Sequence, residues 1–150
     1  MVKSGTMIVT DGSHSQGNGG WAVIFADANG KSLQEGSGAV RNTTNNKMEL
    51  TAVFQAVTHI RKQSQPTEFT LVTDSAYVAT GIQNFRKWEA MNFHTSGGTK
   101  VANLELWVQL FKEMSDRNIV LTVVKIKGHD GHPLNERADK LARTARLSLP

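Results

Sequence analysis

The chain has 150 residues, of which 39% are hydrophobic and 20% charged, which suits one ordinary domain with a real core and argues against global disorder. It contains no cysteine, so disulfides, thiolate chemistry and cysteine-ligated zinc are excluded. Its 17 Lys and Arg outnumber its 13 Asp and Glu, for a net charge of +4, and the isoelectric point near 9.6 is a nucleic-acid footprint that mildly basic soluble proteins share. The longest apolar run, Trp21 to Ala26, is too short to cross a bilayer, and residues 1–5 lack the apolar stretch of a signal peptide. A single cytoplasmic domain spanning residues 1–150 is expected, with loose termini at 1–5 and 147–150.

Met7 to Thr10 is a short β-type run that ends at the turn signal Asp11-Gly12-Ser13. The glycine cluster Gly17 to Gly20 reads as a loop. Trp21 to Ala26 is a second strand, and Asp27-Ala28-Asn29-Gly30 a hairpin turn into a third, about Ser32 to Val40. The period then changes: Leu50, Val53, Phe54, Val57 and Ile60 form a helical stripe, with Asn45 or Asn46 as its N-cap. Pro66 closes that segment. Phe69 to Thr73 is a strand, and a short helix starts after Asp74-Ser75. Leu104, Trp107, Val108, Phe111 and Met114 mark another helix, Ile119 to Ile126 a β-branched strand, and Asn135 to about Leu147 a last helix. The order β-β-β-α-β-α-α-β-α predicts an α/β fold, with a mixed five-stranded sheet (three antiparallel strands, then parallel ones) and helices on both faces.

Four acids stand at places where that fold can gather them. Asp11 follows Met7 and Val9 on one strand face, where a carboxylate is costly to bury unless paired or metal-bound. Glu49 borders the apolar stripe of the first helix, Asp74 follows a strand end, and Asp139 lies early in the last helix. Each has an ordinary reading by itself: a turn Asp, a helix-dipole acid, an N-cap, and an i,i+4 partner of Arg143. Together, two strand-end and two first-turn carboxylates can converge at one sheet edge. Clustered carboxylates repel unless cations join them, and oxygen ligands without sulfur select Mg²⁺ or Mn²⁺.

The residues resemble type 1 ribonuclease H from about Thr6 to Arg146. Thr10-Asp11-Gly12-Ser13, Thr43 to Leu50, Thr73-Asp74-Ser75 with Tyr77-Val78, and Val124 to Pro133 with Asn135 to Asp139 look like that family's four motifs in order. The resemblance implies the ribonuclease H fold, with Asp11, Glu49, Asp74 and Asp139 as metal ligands. It also implies two-metal hydrolysis of the RNA strand of an RNA–DNA hybrid, leaving 5′-phosphate and 3′-hydroxyl ends. His129 matches a loop histidine that helps proton transfer or product departure. His132 is read as structural. Integrases, transposases and junction resolvases share the fold but use other acid spacings. A non-catalytic hybrid-binding module is the alternative, and it should have lost one or more of the acids.

Recognition of a hybrid must use the 2′-hydroxyl and groove shape. By resemblance, Asn45 and Asn46 touch the minor groove, Thr44 contacts a DNA-strand phosphate, and Phe85-Arg86-Lys87-Trp88 with Phe93 forms a substrate-binding handle in which Lys87 and Trp88 bind. A free-standing monomer is expected. This handle continues Glu89-Ala90-Met91-Asn92, with Lys100 the next cation, where relatives are lysine-rich. Weaker hybrid binding and a shallower slope of log affinity against log salt than in a lysine-rich relative follow from this, and a steeper measured slope would contradict it.

Overall fold

Strands β1 (Met7–Ser15) and β2 (Asn18–Ala26) run antiparallel around a tight turn, in which Gln16 and Gly17 take φ values of 52° and 83°. The protein is described here as a computed structural model covering residues 5–93, 101–128 and 131–150. Asp27 folds the next turn, its Oδ1 accepting from the backbone N–H of Asn29 and Lys31 at 2.9 Å each. That turn returns the chain as β3 (Ser32–Val40), antiparallel to β2. After α1 (Asn45–Thr58), β4 (Thr67–Thr73) pairs parallel with β1. Helices α2 (Ala76–Ala90) and α3 (Leu104–Asp116) lead to β5 (Ile119–Lys125), parallel to β4, and α4 (Pro133–Leu147) follows. The sheet order is β3-β2-β1-β4-β5, the mixed sheet expected from the element order.

Period-two alternation divides the strand residues between two cores. On one face Ile8, Val23, Phe25 and Leu71 pack with Leu50, Val53 and Val57 of α1, Phe85 of α2, and Trp107 and Leu110 of α3. On the other, Val9, Ala22, Ile24 and Val72 meet Ala138 and Ala142 of α4. Helices therefore lie on both faces, and their small or branched stripes explain which side each covers.

Several boundaries differ from the sequence reading. β1 runs on to Ser15, so Asp11 lies inside a strand rather than at its end, and Asn18, Gly19 and Gly20 belong to β2 rather than to a loop. Gly20 is there for closeness: a Cβ would collide with the backbone carbonyl oxygen of Ala142 on α4. Thr44, not Asn45 or Asn46, caps α1, its Oγ1 accepting from Lys47 N at 3.2 Å. The two asparagines sit exposed in the first turn. Glu49 and Asp139 fall in second turns, because α1 and α4 begin earlier than their apolar stripes. The helix after Ser75 is 15 residues long rather than short. Val108 is 40% exposed despite its place in the α3 stripe.

The α2–α3 junction is built around Trp107, which is fully buried and donates from Nε1 to the Tyr77 hydroxyl at 2.9 Å. Its ring lies directly over Gly81, where any Cβ would collide with it. Gly81→Ala gains helix propensity but forces the indole to move. It should destabilise the protein by about 1–3 kcal/mol in urea unfolding, the cost of overpacking a filled core. A variant as stable as the parent would contradict this packing.

Candidate metal centre

Strand register explains how two of the acids meet. The parallel β1–β4 ladder ends at Val9↔Val72, while β1 continues beside β2 alone. Asp11 and Asp74 each lie two residues beyond that last pair, so they flank the point where the strands part. Glu49 arrives from α1. Gly12, on the α1 side of β1, has no side chain, and a Cβ there would stand 2.6 Å from Glu49 N and 2.9 Å from the Met48 carbonyl carbon. α1 therefore rests on bare β1 backbone, and the Glu49 carboxyl comes down beside Asp11. β5 closes the rim from the other side: Ile126 N–H donates to Thr73 O at 2.9 Å, and Gly128 comes so near Asp74 that a Cβ would lie 3.0 Å from its Oδ2.

Oxygens of Asp11, Glu49 and Asp74 all lie within 4.8 Å of one another. Asp11 and Glu49 are buried, at 3% and 6% exposure, and Asp74 is half-buried. Burial, followed by the charge of Asp74, pushes the Asp11 carboxyl up to about 8 against the opposing Gly12 N–H; Asp139 adds its charge and a carboxyl–carboxyl hydrogen bond. Glu49 is pushed up to about 9, again first by burial and then by the charges of Asp11 and Asp74. Among the described residues, Glu49 Oε1 is buried with no hydrogen-bond partner, and no ion pair engages Asp11, Glu49 or Asp74. A compact, all-oxygen cluster of carboxyls that resist ionisation without a cation, one with an orphaned oxygen, fits a hard divalent cation such as Mg²⁺.

Asp139 stands at the border of this group. Its carboxyl reaches Asp11, while its Oδ2 is also 3.2 Å from Arg143 Nη1. His129 lies outside the described residues, as does Lys100. His132 caps α4, its Nδ1 accepting from Asn135 N at 3.3 Å. Thr44, Asn45 and Asn46 are exposed at the α1 entrance, close in sequence to Glu49. Lys87 is exposed in the last turn of α2, and half-buried Trp88 packs edge-on against Trp107, with ring centroids 5.5 Å apart. The sequence reading missed the parts played by Gly12 and Gly128. A glycine directly after a strand acid is the trace of Gly12 in the sequence; Gly128, which follows Lys127, leaves none of that kind.

An α/β sheet with buried acids converging where two parallel strands separate defines a candidate site for a hard divalent cation. Residues 3–146 match the RNase H family, and the chain belongs to that family. It is similar to the ribonuclease H of Hahella chejuensis, with 44% identity over 138 residues, covering 90% of this chain and 88% of that one. It is also similar to the ribonuclease H of Agrobacterium fabrum, with 41% identity over 139 residues, covering 91% and 90%. The solved structure of LC11-RNase H1 in complex with RNA/DNA hybrid shares the fold, with a TM-score of 0.67, 21% identity, and coverage of 94% and 96%. Among the described residues, no helix is long and apolar enough to cross a membrane.

The raised carboxyls give a pH signature in metal-free protein. Between their ordinary values of 3.8 and 4.5 and their folded values of about 8 and 9, the folded state holds protons that the unfolded chain releases. Their contribution to stability is therefore full below the ordinary values and is lost as pH rises through about 8 to 9. In chelator, Asp11→Asn should raise the unfolding midpoint over the parent by a margin that grows from pH 5 to pH 9, and saturating Mg²⁺ should stabilise the parent and not the variant. A margin independent of pH would refute the buried-acid account.

Proposed function

We propose that the chain is an endonuclease that hydrolyses the RNA strand of RNA–DNA hybrids with two divalent ions, Mg²⁺ by preference, leaving 5′-phosphate and 3′-hydroxyl ends. The observation that carries this reading is the meeting of Asp11, Glu49 and Asp74 within 4.8 Å, in a chain of the RNase H family. The neighbour solved with an RNA/DNA hybrid supports the same substrate class.

In this reading Asp11, Glu49 and Asp74 hold the ions, and Asp139 completes the set from α4. Divalent ions held there would supply an activated water and charge stabilisation for the departing ribose 3′ oxygen. Asp11 and Glu49 would have to give up the protons that burial favours before they could hold an ion, so loading would improve as pH rises. Gly12 keeps α1 seated, which fixes the Glu49 carboxyl against Asp11. Gly128 leaves room beside Asp74, where a larger residue would crowd the carboxylate. His129 serves proton transfer or product departure from the loop between β5 and α4. Thr44, Asn45 and Asn46 face solvent at the α1 entrance, where they contact phosphate and the 2′-hydroxyl-bearing groove. Lys87 and Trp88 bind the hybrid from the end of α2. The domain works as a cytoplasmic monomer.

The decisive experiment uses an end-labelled RNA–DNA hybrid with and without Mg²⁺. The parent should cut the RNA strand only when Mg²⁺ is present, and Asp74→Asn should lower kcat by about 10²-fold or more, in line with the loss of a group acting directly on transition-state charge. Circular dichroism should show the Asn variant folded. An active Asp74→Asn protein, or retention of the hybrid without cleavage by the parent, would overturn the assignment.

A further inference from the structure

Asp139 differs from its three companions in having its own cation. Arg143 follows one turn later on α4, and its Nη1 lies 3.2 Å from Asp139 Oδ2, with the arginine 51% and the aspartate 26% exposed. Among the described residues, Asp139 is the one acid of the four engaged in an ion pair. The Asp139 carboxyl also reaches the Asp11 carboxyl through a hydrogen bond, so the pair sits at the mouth of the cluster and not on a remote surface. A guanidinium on Asp139 partly cancels the charge that a divalent ion needs and engages one of its two carboxylate oxygens. At half exposure the pair is weak enough to be exchanged. The other three acids have no such competitor, and Glu49 Oε1 is left without any partner.

We infer that Arg143 is an intramolecular counter-ion that competes with a divalent cation for Asp139, and thereby sets the affinity of the ion position to which Asp139 belongs. This rests on the reading of Asp139 as a ligand. Arg143 is a positioning residue in this scheme: it holds Asp139 turned toward Asp11 until an ion takes its place. The ion held by Asp11, Glu49 and Asp74 is then insensitive to Arg143, and the two ion positions load at different concentrations.

Calorimetric titration of MgCl₂ into the metal-free full chain, without nucleic acid, tests this. Asp139→Asn identifies the position that includes Asp139, as the one it weakens. At that position Arg143→Gln should tighten Mg²⁺ binding by about two- to five-fold, the equivalent of one exposed ion pair. Affinity at any other position should be unchanged, and Arg143→Lys should return toward the parent value. Unfolding midpoints of the Arg143 variants in chelator should stay close to the parent's, as for surface substitutions. Unchanged or weakened binding in Arg143→Gln, while Asp139→Asn does weaken it, overturns the counter-ion role alone. If Asp139→Asn leaves every Mg²⁺ affinity unchanged, the ligand reading of Asp139 fails and the inference fails with it.

Discussion

Mutual repulsion among carboxylates is the constraint around which the rest of this structure is arranged. Asp11, Glu49 and Asp74 place oxygens within 4.8 Å of one another, two of them buried, and each ionised member opposes ionisation of the others. Nothing local to any of the three segments favours that arrangement. It is imposed by the sheet, which aligns Asp11 with Asp74 through the Val9↔Val72 register, and by the large core, which presses α1 onto β1. The tight contact over Gly12 turns that pressure into a position for Glu49. A fold that tolerates such an unfavourable cluster in the metal-free state is organised for a cation, in keeping with the tendency of local conflicts to concentrate at functional sites.

Much of the architecture was legible in the chain because hydrophobic period tracks burial. Val53, Val57 and Leu50 announce α1 by their spacing, and all three lie in the core. Ile119 and Leu121 announce β5 in the same way. Boundaries were less legible, because caps and ladder ends depend on backbone hydrogen bonds that leave little mark on composition. Thr44 and not an asparagine accepts the first-turn N–H, and Asn18, Gly19 and Gly20 join β2 by pairing with β1, the two glycines standing where a Cβ would collide with Met48 or with Ala142. Within the candidate site, the four acids were readable as a set through motif resemblance. Their unequal status was not: the Asp139–Arg143 pair satisfies both the ordinary i,i+4 reading and a place beside Asp11.

Ion pairing leaves the chain's excess of +4 unchanged but decides which cations stand unneutralised at its surface. Arg86 is paired to Glu89 at 2.9 Å, Lys112 to Asp116 at 2.8 Å, and Arg137 grips Glu35 with two nitrogens. Such exposed pairs are weak individually, yet each lowers the local field that phosphates would meet. Trp88 belongs in part to the core packing, since its ring is half-buried against Trp107. Polar residues around the α1 entrance are less encumbered, with Asn45 and Asn46 exposed just outside the acid cluster.

The two faces of the sheet are unequal supports. α1, α2 and α3 share a broad core, whereas α4 is held mainly by Ala138 and Ala142 against Val9, Ala22, Ile24 and Val72, with Leu134 and Leu141 at the margin. Small side chains let α4 lie close against the sheet, where it packs on β1, β2 and β3, and a Cβ at Gly20 would collide with the Ala142 carbonyl. Asp139 and its arginine partner both ride on that helix. Any displacement of α4 along the sheet would therefore move both partners together, while Asp11, Glu49 and Asp74 keep their places on β1, α1 and the end of β4.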